Sequence, residues 1–266
     1  VLGAGVWLGA VGAATLALSA YAQPQGVAAP DKAGLKGVRI IQTYDLVGAA
    51  TRVYLPLKAL DAYDPTLDDL LRAEAKRVYS PQRVDYLDDS ALGARLYNAP
   101  DKVVWAAWLD MIVEHPGVYL KVRWTDFQQV FATPVIDVCL PVHLGISGPD
   151  KAMAELKLAP RWTEENTRLF NYTTWFMDTP ALTHVTFAVI ALVVGLLLLW
   201  RREPADLAIA GLLGGALAFA ASFFVISIAC DYRYLYLLDM AAITGLLYLA
   251  LDPAITRRKA RRRARD

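Results

Sequence analysis

The sequence predicts a mainly α polytopic membrane protein with four spans and a mostly helical extracytoplasmic domain. Three observations predict it. Residues 1–22, 181–200, 207–229 and 236–251 are apolar stretches, and a helix of about 20 such residues crosses the hydrocarbon core with its backbone bonded internally. Residues 23–178 carry Pro, Gly and charge throughout, have no run long enough to span, and suffice for a domain with its own core. The basic residues are clustered: Arg201-Arg202 closes one apolar run, and 257–265 holds seven Lys or Arg in nine positions. Basic residues stay in the cytoplasm, so 201–206 and the C-terminal tail are expected inside, and 23–178 with the turn 230–236 outside. The layout is a span at 1–22, the domain at 23–179, three spans within 180–251 and a basic tail at 252–266. A hydrophobic content of 56% and a mean hydropathy of +0.33 agree with this class.

The first stretch, 1–22, has no charge and ends in Ala20-Tyr21-Ala22, which resembles a signal cleavage site. It lacks a basic N-terminal region and exceeds the usual apolar core of a signal, so a spanning helix is preferred. The chain starts at Val1 within an already apolar stretch, which suggests a fragment. Residues 24–37 form a Pro/Gly/Ala linker, and 38–54 read as a helix with Ile40, Ile41, Tyr44 and Val47 near helical spacing. Residues 67–78 form a short charged helix with Thr66 as its N-cap, and 79–100 read as loop. Residues 101–114 are helical, His115-Pro116-Gly117 interrupts, and Pro116 starts a second helix to about Phe131. That helix carries Tyr119, Leu120, Trp124, Phe127 and Phe131 against Lys121 and Arg123. It fits a bilayer interface or a core-facing amphipathic helix equally. Residues 134–146, with Pro141, read as an extended segment or edge strand, 162–177 as an amphipathic helix, and Thr179-Pro180 as the cap of the next span.

The turn 230–236, Cys-Asp-Tyr-Arg-Tyr-Leu-Tyr, crowns a hairpin of two apolar helices. Arg233, with Asp231 and Tyr232, is the leading candidate for binding a phosphate, because the guanidinium fork matches phosphate oxygens. The competing reading is an interfacial anchor. Asp231 and Arg233 are two apart, a poor helical spacing for an ion pair, so each is expected to seek a separate partner, Arg233 facing a cleft. Asp239 lies one to two turns further in and is a second candidate, or a protonated group that locks helix packing. Asp45, His115 and Arg123 sit beside apolar residues of the domain and are third. His115, His143 and His184 have no partner at metal-ligand spacing, so no metal and no cofactor is expected. Cys139 and Cys230 are read as inert thiols. The basic tail abuts a span and fits headgroup contact with membrane lipids, not nucleic acid. No Walker loop, GxGxxG helix start, GxSxG or HExxH occurs.

Three pieces carry a family resemblance: Ile41-Gln42-Thr43-Tyr44-Asp45-Leu46-Val47-Gly48; Trp108 with His115-Pro116-Gly117-Val118-Tyr119-Leu120 and Arg123; and Asp231-Tyr232-Arg233-Tyr234-Leu235-Tyr236. Together they resemble the C-terminal part of bacterial polytopic membrane glycosyltransferases of the GT-C type. The resemblance implies transfer of a sugar from a polyprenyl-phosphate donor at the outer face of the inner membrane. It implies that Arg233 holds the lipid-linked phosphate and that Asp231 or Asp239 orients it. Such enzymes carry their catalytic acid in the first outer loop, a region that would precede this stretch if the chain is a fragment, so no catalytic base is assigned. Two other classes stay open: a non-catalytic membrane protein whose outer domain binds or scaffolds a partner, and a transporter fragment, which Asp239 weakly favours.

Overall fold

The structure, a computed structural model, describes residues 33–251 apart from 137, 140–142 and 149. The predicted span 1–22, most of the linker and the basic tail lie outside the described residues. The chain divides into two compact units, Val1–Ile40 and Ile41–Asp266. In the first, residues 33–40 are helical, the opening turns of α1 (Ala33–Ala50). All that follows concerns the second.

This unit is mainly helical, without a strand among the described residues. After α1 come α2 (Lys58–Tyr63) and α3 (Pro65–Val78). The cap of α3 is Asp64, whose carboxylate accepts from the Thr66 N–H at 3.0 Å, two positions before the cap the sequence suggested at Thr66. Pro65 explains the shift: it has no N–H to satisfy and its fixed φ suits the first helical position. Residues 79–100, expected as loop, contain α4 (Asp85–Asp88) and α5 (Ala91–Asn98). These helices are too short to show a period; burial of Leu87, Leu92 and Leu96 holds them. Ser90 caps α5 by accepting from the Gly93 N–H at 2.9 Å.

α6 (Asp101–Glu114) and α7 (Pro116–Ala132) follow the sequence reading, broken at His115-Pro116. α1 and α7 approach closely at Gly48, where an added Cβ would stand 2.8 Å from the Tyr79 ring and 2.9 Å from Val122 Cγ1. The segment after α7 is not an edge strand. Its described residues run in turns, with one isolated antiparallel bridge from Ile146 to Arg161. Pro134 removes a donor that a ladder would need there. α8 (Asp150–Glu155) precedes α9 (Glu164–Thr174), which a Thr163–Asn166 capping box opens. Thr179 caps only a 3₁₀ turn, Pro180–Leu182, and the first apolar helix starts later, at His184.

Among the described residues three helices are long and apolar enough to cross a membrane: α10 (His184–Arg201), α11 (Pro204–Ile226) and the segment Tyr232–Ala250, a 3₁₀ turn followed by α12 (Tyr236–Ala250). Small residues line their contacts. Ala191, Ala210, Ala216, Ala220, Ala241 and Ala242 are buried, and a Cβ at Gly245 would lie 3.2 Å from Leu213. Close backbone approach of this kind is how apolar helices associate when lipid supplies no hydrophobic contrast. The outward faces are apolar: Val193, Leu196, Trp200, Met240 and Leu247 are all exposed.

α7 joins the domain to this bundle. Val130 is buried in the bundle core, and Phe127 packs on Phe131 at 5.0 Å and on Phe224 of α11 at 6.0 Å between ring centroids. Trp124 stays half exposed. A disulfide, Cys139–Cys230, pins the crown to the segment after α7, with Cα atoms 5.2 Å apart. The inert-thiol reading is thereby corrected. Sequence separation of 91 residues hid the pair; folding α7 back onto the ends of α11 and α12 brings them together.

Candidate functional site

Asp231, Arg233, Tyr234 and Tyr236 border a cavity of about 720 Å³ between the crown and the domain. Gln82, Arg83, Asp85, Val138, Cys139 and His143 supply its other wall. Its volume lies in the usual range of small-molecule sites. The two walls are tied two ways, by the disulfide and by Cys230 N–H donating to the Gln82 carbonyl at 2.9 Å, and Gln82 Nε2 donates to Gln129 Oε1 on α7 at 3.1 Å.

The crown does not hold its charges apart as the sequence suggested. Arg233 Nε meets Asp231 Oδ2 at 2.7 Å, and the Arg233 side chain is 72% exposed. The helical spacing rule fails here because Asp231 is the cap of a 3₁₀ turn, accepting from the Arg233 N–H at 3.1 Å. A carboxylate curled over that first turn reaches the side chain two residues on. Arg83, on the opposite wall, is likewise paired, to Asp85 at 2.9 Å. The cavity thus presents two exposed guanidinium groups, each held by one carboxylate.

Tyr232 and Leu235 turn inward from the same 3₁₀ turn. Tyr232 lies over the His184 ring at 4.2 Å, and His184 Nδ1 stands 2.8 Å from Asp239 Oδ1. The Tyr232 hydroxyl also bonds to Asp239. Asp239 therefore neither lines the cavity nor faces lipid: it joins α12 to the first turn of α10. Tyr236, which does line the cavity, packs edge-on against Tyr232 at 5.6 Å. His184 was not among the residues singled out from sequence. The available signal was that His184 and Asp239 are ionisable groups near the starts of two apolar runs, and such groups seek each other.

Asp45 and Arg123 are fully buried and do not line the cavity. The Arg123 guanidinium forms an ion pair with Asp45 through Nη2, which also donates to Asp126 Oδ2 at 3.1 Å. Its Nη1 donates to the carbonyls of Val225 and Ser227, at 2.9 and 3.0 Å, at the end of α11. Trp108 Nε1 donates to Asp45 Oδ2 at 2.8 Å, and the Tyr79 hydroxyl to Asp126 Oδ1 at 2.6 Å. The Tyr44 hydroxyl donates to the Ser80 carbonyl. Burial pushes the Asp45 carboxyl up to about 6 and Asp126 to about 7, against the pull of Arg123, which lowers both. Burial, followed by the Asp126 charge, raises Tyr44 and Tyr79 well above the ordinary phenol range, so both remain donors. One guanidinium faces two carboxyls whose affinity for a proton is raised, an arrangement that joins domain to bundle. His115 stands apart at the α6–α7 junction, where its side chain makes no cap.

At the other end of the bundle Asp206 is fully buried. Arg201 Nε lies 3.0 Å from Asp206 Oδ2, and the Tyr248 hydroxyl donates to Asp206 Oδ1 at 2.7 Å. This cluster locks the short α10–α11 connection onto α12. No group of three or more His, Cys, Asp or Glu side chains is placed to hold a metal ion among the described residues. Comparison with known protein families, with curated proteins and with solved structures finds no match.

Proposed function

We propose that this protein is a membrane glycosyltransferase of the GT-C type, and that the crown cavity receives the phosphate of a polyprenyl-phosphate sugar. In this reading the helical domain and the crown share the periplasmic side of the inner membrane, with the α10–α11 connection in the cytoplasm. The observation that carries the reading is the pair of exposed arginines, Arg233 and Arg83, on facing walls of one cavity at the mouth of an apolar helix. An exposed ion pair is worth only ~0–1 kcal/mol, so exchanging Asp231 and Asp85 for the singly charged phosphodiester of the donor costs each arginine little. A guanidinium on the leaving phosphate stabilises the charge that develops there during transfer. The lipid tail would lie along the apolar faces of α7 and α12. The disulfide in the cavity wall supports the outer-face placement, since such bonds persist in oxidising compartments.

The test is binding and transfer with a polyprenyl-phosphate sugar in lipid nanodiscs. Arg233→Gln should weaken donor binding roughly tenfold, in line with loss of ~1.4 kcal/mol from a charge-assisted contact. Arg233→Lys should recover part of it, because the charge returns without the planar fork. Donor binding indifferent to both changes would favour the second reading, a non-catalytic membrane protein whose domain scaffolds a partner. The Asp231–Arg233 pair favours that second reading, since it suffices for an anchor.

A further inference from the structure

A second cavity, of about 340 Å³, opens on the domain beside the turn that follows α1. It shares no lining residue with the crown cavity and owes nothing to the reading given above. Its walls bring Arg52, Arg72 and Lys76 around a single acid, Asp68, so the site carries an excess of positive charge. Two of the cations are already positioned. Arg52 Nη2 donates to Thr125 Oγ1 of α7 at 3.0 Å. Arg72 pairs with Asp68 one helical turn earlier, and its guanidinium lies 4.3 Å from the centre of the Tyr54 ring. A ligand therefore meets arginines whose freedom has been spent within the fold, which lowers the ordering cost of binding.

Two buried polar atoms of the lining residues are unsatisfied. Arg52 Nε and Asp68 Oδ1 have no hydrogen-bond partner among the described residues. Arg52 Nε needs an acceptor, whereas the Asp68 oxygen needs a donor. A simple anion answers only the first. A hydroxyl next to a phosphate answers both, with the phosphate facing Arg52, Arg72 and Lys76 and the hydroxyl facing Asp68. The Tyr54 ring, 66% exposed at the rim, offers a flat apolar surface for the carbon face of a sugar or polyol.

We infer that the Arg52–Arg72–Lys76 cavity binds a hydroxyl-bearing phosphate ester, a sugar phosphate or a polyol-phosphate headgroup. Lys76 is exposed and holds no ion pair among the described residues, so Lys76→Gln removes a ligand charge without removing a fold contact there. The full chain in phosphatidylcholine nanodiscs is titrated calorimetrically with glucose 1-phosphate. Saturable binding is expected, at least tenfold weaker in Lys76→Gln and in Arg72→Gln, and unaltered in Arg233→Gln of the crown. Thermal unfolding of Lys76→Gln is expected to match the wild type. Adding phosphatidylglycerol to the nanodiscs separates the two sources. Competition that disappears in Lys76→Gln assigns the site to a lipid headgroup, and absence of competition assigns it to a soluble ester. No saturable binding of glucose 1-phosphate in phosphatidylcholine, or binding equal in wild type and Lys76→Gln, overturns the inference.

Discussion

Arg123 offers the most direct test of how the domain is held to the long apolar helices. Its side chain is fully buried and serves two carboxylates, Asp45 and Asp126, and two carbonyls, those of Val225 and Ser227. In Arg123→Met the volume is nearly kept and all four acceptors lose their donor. Removing one partner of a buried ion pair costs ~3–5 kcal/mol, because the remaining charge is left uncompensated. Each orphaned carbonyl adds ~1–3 kcal/mol if water does not reach it. The raised pKa of both acids moderates the sum, since they can take up protons at a smaller cost than an ordinary carboxylate. A net loss of about 5 kcal/mol is expected, a large share of the ~5–15 kcal/mol that folded domains possess.

Denaturant titration of the detergent-solubilised chain, followed by tryptophan fluorescence, reads this loss. The double variant Arg123→Met/Asp45→Asn distinguishes charge from packing. If the uncompensated Asp45 charge dominates, the double variant regains about half of the loss, a coupling expected only between groups in contact. Arg123→Lys should fall between, since a point-like ammonium cannot reach acceptors on α1, α7 and the end of α11 together. An Arg123→Met variant within ~1 kcal/mol of wild type would refute the reasoning, given the cost assigned to a broken buried pair.

Three further outcomes follow from the same geometry. Asp45 and Asp126 hold their protons to about 6 and about 7, against an ordinary 3.8, so the native state binds more protons than the unfolded chain between these values. Stability is therefore full below pH ~4 and falls by a few kcal/mol as pH rises to ~7; Asp126→Asn should flatten that slope in unfolding curves taken at a series of pH values. Reducing Cys139–Cys230, or replacing both with Ser, should cost ~4 kcal/mol by loop-closure entropy for a separation of 91 residues, read as a lower unfolding midpoint under reducing conditions. His184→Leu should destabilise by ~3 kcal/mol through the stranded Asp239 carboxylate, and His184→Leu/Asp239→Leu should recover most of it in the same assay.

Much of the helical layout was legible because it rests on local signals. The breaks at His115-Pro116 and the apolar runs after Thr183 are written in proline and in hydropathy, and the structure places α6, α7, α10, α11 and α12 accordingly. The short helices α4 and α5 were not legible, since they complete too few turns for a period to show and owe their existence to Leu87, Leu92 and Leu96 being buried by distant helices. Asp45 and Arg123 stand out in the sequence as charges set among apolar residues, and the structure buries both away from the crown cavity. Sequence alone could not say that they meet each other across 78 positions and are closed to solvent.

The crown shows why the candidate site was harder to read than the fold. Spacing rules for side-chain pairs presuppose the secondary structure they are applied to. With an α-helix assumed, Asp231 and Arg233 diverge; in the 3₁₀ turn that forms, the capping carboxylate reaches both the backbone N–H and the guanidinium of Arg233. The turn in turn follows from burial. Tyr232 packs over His184 and Leu235 is buried among the spans, and these contacts set the direction in which Arg233 leaves the bundle. The exposed guanidinium at the cavity edge is thus fixed from below by an aromatic–histidine–carboxylate stack. Changes to His184 or Tyr232 should consequently alter any ligand affinity that depends on Arg233, although neither residue lines the cavity.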